Sequence, residues 1–132
     1  KAAVLQIIFL LIRMYPSREI VSSPDREQLK EVLQEISVKS SENLSVADMA
    51  KFCGWSSSHF MRWFKKMTGL SLIAYVNERR LAVAAEALKK TDDKILNISQ
   101  DAGFTNLSNF NRQFRKRYGV TPKEYREMND IS

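Results

Sequence analysis

The side chains best suited to chemistry in this 132-residue chain are basic ones that occur twice. Arg62 with Lys65-Lys66 returns fifty residues later as Arg112 with Arg115-Lys116. Groups so spaced suit binding to a polyanion. Each neutralised phosphate releases counterions, and an arginine fork matches the edge of guanine. Other chemistries find less material. One cysteine, Cys53, and one histidine, His59, make no cluster of the usual zinc ligands and no internal disulfide, which fits a reducing cytoplasm. Asp48, Glu78 and Asp101 are scattered rather than paired, so nothing suggests acid–base catalysis, and no enzyme and no cofactor are expected.

Charge is concentrated as well as repeated. The formal net charge is +6, but residues 44–126 carry 15 Lys and Arg against 7 Asp and Glu. Residues 1–43 carry six of each, and residues 127–132 carry −2. A positive field confined to one segment is what a polyanion-binding surface needs.

The elements that must position these groups read as helices. Residues 2–15 are apolar on nearly all sides and predict a helix that needs cover on more than one face. Its apolar core, Ala2 to Ile12, is too short to span a bilayer, and no small-residue cleavage site follows. Lys1 in the first position and this uncovered helix suggest a piece of a longer protein, with self-association through residues 2–15 as one consequence. A linker with Pro16 and Pro24 leads to a helix over 24–39 with Leu29, Val32, Leu33 and Ile36 on one stripe. Ser45 with Asp48 resembles a capping box opening a helix at 46–52, and Ser56 or Ser57 caps the next, to about Met67. Helices are predicted over 72–90, 95–101 and 106–118, and Thr121, Pro122 and Glu124 open a last one through about Met128. No strand signal is present, so the class is all-α.

Internal repetition carries the argument furthest. Residues 46–69 and 95–119 align at an offset of 49 before a turn (Val46 with Ile95, Met49 with Ile98, Gly54 with Gly103) and of 50 after it (Phe60 with Phe110, Arg62 with Arg112, Phe64 with Phe114, Gly69 with Gly119). Each copy has the grammar of a helix-turn-helix: a short helix, a glycine turn, and a second helix with phenylalanines four apart. Ala50 and Ser99 allow close approach, while Met61, Arg62, Asn111 and Arg112 face outward. The 19-residue helix between the copies spans ~28 Å. That suits two helices entering major-groove segments that recur about every 34 Å. Cys53, aligned with Ala102, is expected as a small buried residue; Trp55 and Phe104 as lobe core; Trp63 as packing towards the 72–90 helix. His59, matched with Ser108, is a phosphate or base contact or a surface histidine.

With these residues assembled, the segment 44–126 resembles the DNA-binding domain of the AraC/XylS family of bacterial transcription regulators. The resemblance rests on Arg80-Leu81 with Ala84 and Leu88, and on Ile95 through Gly103-Phe104, Phe110-Asn111-Arg112, Phe114-Arg115, Gly119, Thr121-Pro122 and Tyr125-Arg126. It implies a homeodomain-like, seven-helix fold of two helix-turn-helix lobes joined by a long linker helix, plus one extra N-terminal helix. Residues 1–23 would be the terminal helix and linker of an upstream sensor or dimerisation domain. Residues 24–132 would be the DNA-binding domain, with lobe 1 at about 24–70, the linker helix at 72–90 and lobe 2 at about 93–128. Carried over by position, the base contacts implied are Ser58, Met61 and Arg62, then Leu107, Ser108, Asn111 and Arg112. The phosphate contacts implied are Ser57, His59, Lys65 and Lys66, then Asn106, Arg115 and Lys116.

Duplex DNA is the partner expected, in the cytoplasm at the nucleoid and not at a membrane. A sequence-specific activator or repressor would prefer its site over random duplex by at least ~10³, and a nonspecific architectural binder would not. A protein-interaction module touching RNA polymerase is compatible with either reading.

Overall fold

Short polar side chains decide where the helices of this chain begin. A computed structural model describes residues 23–130. The expected helix over 2–15 and most of the linker after it lie outside the described residues. Among these there are seven α-helices and no strand: α1 (Ser23–Lys39), α2 (Val46–Cys53), α3 (Ser57–Thr68), α4 (Leu72–Lys90), α5 (Ile95–Asp101), α6 (Leu107–Tyr118) and α7 (Pro122–Met128). Ser45, Ser56, Ser71, Asn106 and Thr121 each accept a hydrogen bond from the backbone N–H three residues on, satisfying a donor that the first turn leaves free. The cap of α3 is Ser56, so Ser57 is its first helical residue. Thr121 and Glu124 make a full reciprocal box. At Ser45 only half of the expected box forms, because the Asp48 side chain is a methylene shorter than glutamate.

Two cores result. Leu29, Val32, Leu33 and Ile36 of α1, all at most 2% exposed, meet Met49, Ala50, Phe60, Phe64, Leu72, Tyr75 and Val76. The second core gathers Leu81, Ala84, Ala85, Leu88, Ile98, Ala102, Phe104, Phe110 and Phe114. In each lobe the turn runs through a left-handed glycine, Gly54 at φ 76° or Gly103 at φ 108°, a conformation that side chains with a Cβ rarely adopt.

The linker helix is more than a spacer. Its first half closes lobe 1 and its second half opens lobe 2. Ser71 and Tyr75 recur as Thr121 and Tyr125 of α7. Tyr75 stands edge-on to Phe64 at 5.6 Å, as Tyr125 does to Phe114 at 5.3 Å. Its later stripe, Leu81, Ala84, Ala85 and Leu88, repeats the spacing of the α1 stripe. An arginine braces the end of the first helix of each lobe: Arg80 donates to Ser40 O and Glu42 O, and Arg126 donates to Leu88 O and Thr91 O.

Two expectations need correction. Trp63 turns to α1, where its Nε1 donates to Asp25 Oδ1 at 3.3 Å; a polar acceptor for the indole N–H lies there. Cys53 is half-buried, packed on the edge of the lobe 1 core; its Sγ accepts from Gln28 Nε2 at 3.5 Å, and burial pushes the thiol pKa up.

Candidate DNA interface

The outward face of each helix-turn-helix follows from what its second helix buries. α2 packs on α3 and α5 on α6. Phe60 and Phe64 on α3, and Phe110 and Phe114 on α6, are 0% exposed. At 3.6 residues per turn, Met61 and Arg62 on α3 and Asn111 and Arg112 on α6 then point to solvent. All fourteen residues singled out as base or phosphate contacts are exposed. Ser58, Arg62 and Lys66 lie four apart on one stripe of α3, and Ser108, Arg112 and Lys116 match them on α6. Lys65 and Arg115 stand beside these stripes, with Met61 and Asn111 on their flanks. The starts of the helices are marked by Ser57 and His59 in one lobe and by Asn106 and Leu107 in the other. Met61 at 50% and Leu107 at 38% are large apolar groups open to solvent on an otherwise polar face.

The surroundings of the two stripes differ. Arg112 Nη2 donates to Asn109 Oδ1 at 2.6 Å, one turn back. Asn109 is absent from the sequence-derived set, although an asparagine three residues before an arginine on a helix is a pairing signal. The caps Ser56 and Asn106 place His59 opposite Asn109, not opposite Ser108, because the extra residue of the second turn lies before the caps. The His59 ring stacks on Trp55 at 4.3 Å and 23°, and Trp55 meets Trp63 edge-on at 5.0 Å. Trp55 is thus partly core and partly a support for the start of α3, while Phe104 is buried.

Not every basic residue on α6 faces the same way. Arg117 Nε reaches both carboxylate oxygens of Glu78 on α4, at 2.8 and 2.7 Å, and its guanidinium lies 5.0 Å from the centre of the Tyr118 ring. The hydrogen bond to Glu78 raises its pKa further. Arg62, Lys65, Lys66, Arg115 and Lys116 have no salt-bridge partner among the described residues, leaving their charge to an external anion. Among the described residues no three His, Cys, Asp or Glu side chains come together as a metal site, and no helix is long and apolar enough to cross a membrane.

A family model described as a helix-turn-helix domain matches residues 49–128. The fold is similar to that of a transcriptional regulator from Chromobacterium violaceum described as having an AraC-type DNA-binding domain, with a TM-score of 0.75 and 27% identity over 83% of this chain and 98% of that one. The chain belongs to the AraC/XylS family of transcription regulators. Among relatives of this AraC-type domain, the Tn10 TetD protein of Escherichia coli is 37% identical over 98 residues, 74% of this chain and 71% of that protein. The regulatory protein PocR of Salmonella typhimurium is 31% identical over 129 residues, 93% of this chain and 43% of PocR. The chain therefore spans less than half of PocR but most of TetD. Its tandem helix-turn-helix is the DNA-binding domain of a transcription regulator, a family whose members are not enzymes.

Proposed function

We propose that the chain reads a two-part duplex site, with α3 and α6 in successive major-groove segments. The observation that carries this reading is the pair Arg62 and Arg112, exposed at the same register of two equivalent helices. Arg62 and Arg112 fork onto guanine and Asn111 onto adenine, Met61 and Leu107 meet thymine methyl groups, and Ser58 and Ser108 add weaker contacts. Ser57, His59, Lys65 and Lys66 in one lobe, with Asn106, Arg115 and Lys116 in the other, hold phosphates and set the register.

Selection from a random duplex pool, followed by fluorescence anisotropy of the wild type, Arg62→Ala and Arg112→Ala, tests it. An enriched site with half-sites about one turn apart is expected, each substitution costing ~1–3 kcal/mol and relaxing selectivity in one half only. Binding that stays salt-sensitive, with no enriched sequence and little loss in either variant, would reduce the domain to a general DNA clamp.

The same reading makes residues 1–23 the terminal helix and linker of an upstream sensor domain and residues 24–132 the DNA-binding domain. It puts the protein in the bacterial cytoplasm at the nucleoid, as an activator or a repressor of transcription, with RNA polymerase as a compatible second partner. Residues 2–15 then pair with a second copy, and a strictly monomeric chain in sedimentation at high concentration would argue against that pairing.

A further inference from the structure

The two lobes meet at a crowded point beside the middle of α4, apart from the Arg117–Glu78 pair. Arg80 leaves the middle of α4 and donates from Nε to Ser40 O and from Nη2 to Glu42 O, both at 2.6 Å. Those carbonyls belong to the lobe 1 segment between α1 and α2. Gly103, in the turn of lobe 2, presses on the same place. A Cβ there would lie 2.8 Å from Arg80 Nε, 3.0 Å from Ser41 Cα and 3.1 Å from Ser40 O. Two of these neighbours are backbone atoms, so a rotamer change cannot relieve the contact. Arg79, next along the helix, donates from Nη2 to Ser37 Oγ at 2.7 Å and ties α4 to α1 again.

We propose that Arg80, seated between the lobe 1 backbone and Gly103, locks the lobes at one relative orientation and thereby sets the half-site spacing that the chain accepts. Adding one base pair between half-sites turns the second by about 35° and moves it ~3.4 Å along the duplex. Lobes free to pivot could follow that change, whereas a locked pair loses one set of contacts. Arg126 serves as a control, since it braces the end of α4 at Leu88 O and Thr91 O within lobe 2 alone. The effect on spacing rests on the two-part reading above; the lock itself does not.

The test uses the full chain with Cys53→Ala and spin labels at Gln34→Cys and Lys123→Cys, exposed positions on α1 and α7. Inter-label distances without DNA, and affinity for selected duplexes with a base pair added or removed between half-sites, are measured for four proteins. These are the parent, Arg80→Gln, Arg80→Lys and Arg126→Gln. The parent should give a narrow distance distribution and lose about tenfold or more for each spacing change, the size of a lost base contact. Arg80→Gln should broaden the distribution and cut the spacing penalty to less than ~3-fold, while a mutated half-site is still rejected. Arg80→Lys, which keeps the charge but not the fork, should fall between, and it decides the matter if the glutamine variant does not fold. Arg126→Gln should behave as the parent. Folded Arg80 variants with the parent's width and spacing optimum would overturn the proposal, as would equal broadening in Arg126→Gln. If Arg80→Gln broadens the distances while the parent shows no spacing preference, the lock stands and the two-part reading fails.

Discussion

Tyr75 shows how much a single position can hide. It is 0% exposed, its hydroxyl has no hydrogen-bond partner among the described residues, and burial pushes its pKa from 10.0 to about 12. A raised acid pKa means that the folded state holds the proton more tightly. The associated stability is complete below pH 10 and is lost as pH rises from 10 towards 12. A buried hydroxyl without a partner costs ~1–3 kcal/mol, so Tyr75→Phe should match or exceed the parent in urea melts at pH 7. Its alkaline loss of stability should also be smaller. A clear drop in stability at pH 7 would show that the hydroxyl is satisfied after all. The aromatic character of this residue and its place fifty residues before Tyr125 are visible in the sequence; that both rings stand edge-on to a phenylalanine emerges only in the fold.

Among the elements, α7 depends heavily on its ends, since seven residues form too short a helix to persist alone. Thr121→Ala should cost ~0.5–2 kcal/mol at pH 7. The backbone N–H of Thr121 donates to Glu124 Oε1 at 2.9 Å and, with the Thr121 side chain, holds the Glu124 pKa below its ordinary 4.5. That contribution is present above pH 4.5 and fades as pH falls through the lower folded value. Thermal melts should therefore show the parent more stable than Glu124→Gln at pH 7, with the gap closing in acid. A gap independent of pH would rule out the carboxylate as its source. This cap is legible in the sequence because it is local. The double role of α4 is not, since its apolar positions run on without marking where one core ends and the next begins.

At the scale of the whole molecule the positive field is gathered on one stretch of chain, and tertiary contacts then select which charges remain available. Lys66 and Lys116 stand at equivalent exposed positions, whereas Arg117 is engaged by Glu78. Each of Lys66→Ala and Lys116→Ala should weaken binding evenly across sequences and lower the slope of log affinity against log salt by about 1. Arg117→Ala should leave that slope unchanged. Anisotropy titrations from 50 to 200 mM salt decide this, and a full unit of slope lost in Arg117→Ala would add that residue to the phosphate-binding set.

By itself the sequence determined the helices, the two-lobe repeat and the family, because capping, apolar spacing and glycine turns act over a few residues and were written twice. It also indicated which face of α3 and α6 is open, since burying Phe60, Phe64, Phe110 and Phe114 leaves the arginines no other side. Tertiary structure alone decided the rest: the turn of Trp63 to Asp25, the hold of Asn109 on Arg112, the diversion of Arg117 and the seat of Arg80 beneath Gly103. All but one of these pairings join residues more than twenty positions apart, which no local pattern encodes. The Asn109–Arg112 pair is local, but its side-chain rotamers are settled only in the folded protein.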